Sequence, residues 1–205
     1  MSLLELYKRF AKATIMLTNI LESTVTSCVE SSIDEKVLRL SREMCVVRLH
    51  DTWARFCREL VIISAYAKPF TAQGQRVQRA PGIKKRNDVI LKLLSTYRKK
   101  RFEPRWHDSF ECLDAAKRLK VSNFSVIISG LGLSSSPVED LTHLRNFFAH
   151  RSYENAQRVA GVATKLNLST ELRPDLIIVE IVPPGLSVFR KWVKQLHIMA
   201  LYSIK

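Results

Sequence analysis

Residues 141–153 read LTHLRNFFAHRSY, and three of them could do chemistry together. Asn146 and His150 are four apart, so a helix stacks them on one face. Arg145 precedes His150 by five, about 140° around an ideal helix, and its long side chain can swing forward. A neutral imidazole can take the proton from a ribose 2′-hydroxyl, and the freed oxygen can attack the adjacent phosphorus. Arg145 would present a fork of donors to the phosphoryl oxygens as negative charge builds there. Asn146 would orient the imidazole or hold a phosphate oxygen. One imidazole does not readily serve as base and acid at opposite ends of an in-line displacement. A two-fold homodimer removes the difficulty, because it brings two copies of Arg145 and His150 to one cleft. The chemistry calls for no metal and no cofactor, and the sequence has no HxxxH pair or carboxylate cluster of the kind that holds one. The plainer reading is an ordinary Arg and His on an amphipathic helix. His143 falls on another face and reads as uninvolved. His50 and Asp51 read as a solvated edge or a supporting pair.

The trio needs a rigid carrier. Ser136 followed three residues on by Glu139 forms a capping box, with Pro137 at the first helical position. A helix is therefore predicted from about 137, with Leu141, Leu144 and Phe148 as its buried stripe and Phe147 widening it. A break near Ser152 precedes a second helical run, 156–166. Upstream, Leu3, Leu6, Phe10, Ala13, Leu17 and Ile20 alternate steps of three and four. So do Val46, Leu49, Trp53, Phe56, Leu60, Ile63 and Ala67, within a helix of about 34 residues from Asp34. These two seams, joined by a short polar link, predict a long antiparallel helix pair. Helices are also expected over about 87–98 and 107–119, with NFSVIISGLGL either strand or helix. DLIIVEIVPPG reads as one strand or half of a hairpin. Ser187 should cap a last helix. The expected fold is mainly α: a helical bundle forming a single domain over 1–205, with a short C-terminal strand or hairpin.

The charge balance narrows the partner. Thirty-three Lys and Arg stand against nineteen Asp and Glu, a net charge of +14. Such an excess suits a polyanion, either nucleic acid or an anionic membrane surface. Eleven of the basic residues and only two acids fall between Arg76 and Arg105. Within this basic insertion, about 70–105, Lys84, Lys85, Arg86, Lys99, Lys100 and Arg101 are candidate phosphate contacts. Tyr97, Phe102 and Trp106 could stack on bases or anchor the segment to the core. Arg151 is either an extra phosphate contact or a surface charge. Cys28, Cys45, Cys57 and Cys112 lack paired spacing and read as small buried hydrophobes. The longest apolar run, LVIISAYA, is too short to span a bilayer, so no membrane role and a cytoplasmic location are expected.

The segment RNFFAH resembles the R-x4-H signature of HEPN-domain ribonucleases, including the Asn that follows the Arg. RLHDTWARF, GLGLSS and RPDLI extend a weaker likeness over about 35–200, toward the HEPN nucleases of bacterial toxin–antitoxin and anti-phage systems. The resemblance implies a helical domain whose motif lines a dimer cleft, with Arg145, Asn146 and His150 as catalytic residues. It implies metal-independent RNA cleavage to a 2′,3′-cyclic phosphate and a 5′-hydroxyl, by a toxin or defence effector with an antitoxin or defence partner protein. Some relatives carry a modifiable Tyr two residues after the His. Here Tyr153 follows by three, which departs from that pattern. Two other readings stand beside this one: a non-catalytic nucleic-acid-binding or partner-binding scaffold, and a subunit serving a separate nucleotidyltransferase.

Overall fold

The computed structural model describes residues 2–29, 34–96, 103–133 and 136–205. Among them are helices α1 (Leu3–Val29), α2 (Glu35–Tyr66), α3 (Arg86–Thr96), α4 (Ser109–Leu119), α5 (Phe124–Leu131), α6 (Ser136–His150), α7 (Tyr153–Lys165), α8 (Pro174–Ile177) and α9 (Val188–Tyr202). One small antiparallel hairpin, β1 (Ile181–Val182) and β2 (Leu186–Ser187), precedes α9. The protein is mainly α, as its periodicity requires. The ambiguous stretch before Gly132 is the helix α5.

By contacts the chain forms two compact units. The first comprises Met1–Ala11, Thr52–Ser135 and His197–Lys205. Its aromatic centre comes straight from the two seams. Phe10 of α1 meets Trp53 and Phe56 of α2 at ring distances of 5.9 and 5.0 Å. All three rings are buried, and their large apolar area makes them a dominant part of this core. His197 of α9 packs against Tyr7 and Phe10, and burial lowers its imidazole pKa. It is a core histidine. The basic segment is tied into the same unit. Val77, Ala80 and Ile83 are buried, Ala80 N–H donates to the Ala65 carbonyl, and the Arg79 guanidinium donates to the Tyr66 carbonyl. Asp108 caps α4 by accepting from the N–H groups of Phe110 and Glu111. Cys57 and Cys112 are fully buried here, and desolvation pushes the Cys57 thiol far up.

The second unit comprises Lys12–Asp51 and Ser136–Leu196. Here the Sγ of Cys45 on α2 lies 3.9 Å from the Leu17 carbonyl of α1. Phe10 pairs with Trp53, and Leu17 with Cys45. Helices α6 and α7 form an antiparallel hairpin over Val138, Leu141, Leu144, Val159, Val162 and Ala163, all buried. The strand expectation for DLIIVEIVPPG holds for two residues only. Pro174 opens the one-turn helix α8, where proline's fixed φ fits, and Ile177 and Ile178 are both buried, which strand alternation does not allow. The chain then turns through Pro183, Pro184 and Gly185 into β2. Ser187 Oγ accepts the Arg190 N–H at 3.3 Å, capping α9 as its position predicts.

Asp140 on α6 is buried, with 3% of its side chain exposed, and accepts a 2.8 Å bond from Lys165 Nζ on α7. Burial raises its carboxyl above the ordinary 3.8 despite the pull of Lys165. Folding therefore favours the protonated form. Stability present below 3.8 is lost as pH rises through the folded-state value. Asp140→Asn keeps the neutral form at every pH. Thermal melts of this variant should exceed the parent's at pH 7 and converge with them below the ordinary carboxyl value.

Candidate functional site

The predicted motif lies on α6. Pro137 sits within its first turn, and the side chain of Ser136, the proposed cap, lies outside the described residues. Leu141 and Leu144 are fully buried. Phe148, expected in the same stripe, is only half-buried, like Phe147. The helix ends two residues later, where the chain reverses and covering side chains run out. The two Phe rings instead pack edge-on, 5.9 Å apart.

Arg145 is half-buried, and its Nη1 donates to Asn146 Oδ1 at 3.3 Å. The structure thus joins these two side chains directly. The backbone carbonyl of Asn146 faces Asn155 Nδ2 of α7 at 3.5 Å. His150 is the last residue of α6 and is exposed. Among the described residues its ring holds no hydrogen bond or ion pair, so the imidazole is open to solvent. His143 pairs loosely with Glu139 one turn earlier, at 3.7 Å, away from the trio. His50 is buried, with Nδ1 3.5 Å from Asp51 Oδ1. Among the described residues no group of three His, Cys, Asp or Glu side chains is placed to hold a metal ion.

The turn after His150 is well defined. Arg151 takes a left-handed conformation with φ 44° and donates its N–H to the Phe147 carbonyl at 2.7 Å. Ser152 then caps α7 by accepting from the Asn155 N–H, which locates the predicted break. Nη2 of Arg151 is shared between the two carboxylate oxygens of Glu43 of α2, at 2.9 and 3.0 Å. Glu43 also accepts from Arg39 at 2.9 Å. Sequence reading passed over Glu43 and Asn155. Nothing local marks Glu43, which lies 108 positions from its partner.

The remaining basic candidates belong to the other unit. Lys84 and Lys85 are exposed, and their backbone N–H groups donate to Asp88 at 2.8 and 3.0 Å at the start of α3. Arg86 is committed to Glu59 at 2.7 and 2.5 Å, a pairing that raises the guanidinium pKa and lowers that of Glu59. Lys99, Lys100 and Arg101, with Tyr97 and Phe102, lie outside the described residues. Trp106 is 8% exposed and donates to Glu103 at 2.7 Å, so it anchors the segment rather than offering a stacking face. Glu103 is held in turn by Arg58.

The RPDLI segment forms an ion cluster in which Arg42 and Asp175 are buried and Arg173 and Glu35 are exposed. Asp175 accepts from Arg42 at 3.2 Å and from Arg173 Nη2 at 2.9 Å, and Glu35 accepts from the same Nη2 at 2.6 Å. Burial alone would raise the Asp175 carboxyl, but the two guanidiniums prevail and lower it. The cluster fastens the segment before α8 to α2. No helix among the described residues is long and apolar enough to cross a membrane. No family model, curated protein or solved structure matches this chain.

Proposed function

We propose that this chain is an endoribonuclease of the HEPN type that cuts RNA without a metal. The observation that carries the reading is the arrangement on α6: an Arg145–Asn146 pair on its last turns and an exposed imidazole, His150, at its end. His150 of one subunit takes the 2′-hydroxyl proton. The 2′-oxygen bonds to phosphorus as the bond to the 5′-oxygen breaks, and the imidazolium of a second subunit returns a proton to that oxygen. Arg145 stabilises the charge on the phosphoryl oxygens, with Asn146 steadying its guanidinium. The half-buried Phe147 and Phe148 and Tyr153, 79% exposed, supply apolar surface for a two-fold contact beside the site. The net charge of +14 suits an RNA substrate. A role as toxin or defence effector, restrained by a partner protein in the cytoplasm, accompanies the same reading.

The direct test is incubation with single-stranded RNA in EDTA, followed by analysis of the ends. Products carrying 2′,3′-cyclic phosphate and 5′-hydroxyl groups are expected. Cutting that requires added divalent metal would refute the proposal.

A second reading, binding without cleavage, draws on the exposed Lys84 and Lys85. If these lysines neutralise phosphates, Lys84→Glu with Lys85→Glu should weaken RNA binding. The slope of log affinity against log salt should fall by about one to two, at roughly 0.7 per phosphate for single strands. An unchanged slope removes both residues from the interface. Binding alone, with intact RNA after long incubation, would favour this second reading.

A further inference from the structure

Glu43 lies on α2, far in sequence from the motif, yet it holds the residue next to His150. We infer that Glu43 is a positioning residue for the His150 imidazole, acting through Arg151; the inference rests on the nuclease reading above. Three observations support it. Arg151 adopts a left-handed backbone conformation, which L-residues with long side chains avoid unless something compensates. The compensation is the charged contact with Glu43, in which the single nitrogen Nη2 of Arg151 lies against both carboxylate oxygens. The Glu43 side chain is only 12% exposed and is also held by Arg39, so the anchor is itself fixed.

The consequence concerns a helix end. The last turn of a helix frays readily, since its carbonyls lack intrahelical partners. His150 occupies that last position. The Glu43–Arg151 bond pins the backbone one residue beyond it and fixes where the ring emerges. A general base must sit within hydrogen-bond reach of the proton it takes, and small displacements there cost rate rather than binding. In this account Arg151 is committed to Glu43 and is not itself a phosphate contact.

The test compares Glu43→Gln, Arg151→Ala and the double variant in single-turnover RNA cleavage. Glutamine preserves size and one acceptor but loses the charge and the second acceptor oxygen. Each single change is expected to lower kcat about tenfold with KM within twofold, and the double variant should be no worse than the poorer single. Glu43→Asp, which keeps the charge, should recover part of the loss. Losses that multiply in the double variant overturn the inference. So does a raised KM with unchanged kcat, because Arg151 would then grip RNA itself. If the parent protein does not cut RNA at all, the nuclease reading fails and the positioning claim is judged separately by NMR. Glu43→Gln must shift or broaden the His150 ring resonance while the melting temperature stays within a few degrees. An unmoved resonance overturns the claim.

Discussion

Replacing His150 with alanine is expected to lower RNA cleavage about a thousandfold while RNA binding stays within twofold. Under the proposed mechanism, alanine removes the proton acceptor for the 2′-hydroxyl. In a symmetric dimer it also removes the donor for the leaving 5′-oxygen. Acid–base catalysis contributes roughly a hundred- to ten-thousandfold, and a thousandfold corresponds to about 4 kcal/mol of barrier. The imidazole is exposed and without a partner among the described residues, so its loss leaves no buried group unsatisfied and the fold should persist. Arg145→Ala is expected to cost roughly a hundredfold or more in kcat, since the proposed mechanism places its guanidinium where charge develops. Arg145→Lys should restore little, because a lysine cannot reproduce a two-pronged donor. Single-turnover assays in EDTA, with binding measured separately, read both effects. Full cutting by His150→Ala would end the nuclease proposal.

Gly130→Ala is expected to destabilise the first unit by about 3 kcal/mol or more, in the upper range for overpacking. A Cβ on Gly130 of α5 would sit 2.1 Å from Ser203 Oγ, 2.3 Å from the Met199 carbonyl oxygen and 2.3 Å from Ser203 N. Two of those atoms are backbone, one in α9 and one directly after it, and cannot rotate aside. The two helices meet closely here, and Ser129 Oγ bonds the Tyr202 carbonyl at 3.0 Å beside the contact. At about 2–4 °C per kcal/mol for a chain of this size, the melting temperature should fall by roughly 6–12 °C. Gly161→Ala is the matched control. Nothing lies within 4 Å of its added Cβ on α7, so it should stabilise by about 0.5–1 kcal/mol through helix propensity alone. Thermal unfolding of the two variants in parallel checks the pair, and equal melting temperatures would contradict the close approach.

The motif and its carrier were readable in different degrees. The steps of three and four through Phe10, Trp53 and Phe56 foretold both long helices, and these side chains meet in the first core. Ser187 marked a helix start, because a cap needs only an oxygen beside the first free N–H groups. Ser152 read only as a break, and its capping of α7, three residues earlier than the expected run, came from the structure. Phe148 misled, because periodicity places a residue on a face without saying whether anything covers it. DLIIVEIV misled similarly. Its β-branched composition suits a strand, but Pro174 and the ion cluster at Asp175 commit its first part to a helical turn.

The sequence alone determined the helical class, the placement of Arg145, Asn146 and His150 on one helix, and the basic character of 76–105. Each follows from local spacing or from composition, which need no knowledge of distant neighbours. Only the tertiary structure decided which charges are already spoken for. Arg86 belongs to Glu59, Arg42 to Asp175 and Arg151 to Glu43, partners 27, 133 and 108 positions apart. An ion pair is set by distance in space, and chain order leaves that distance open until the helices have packed.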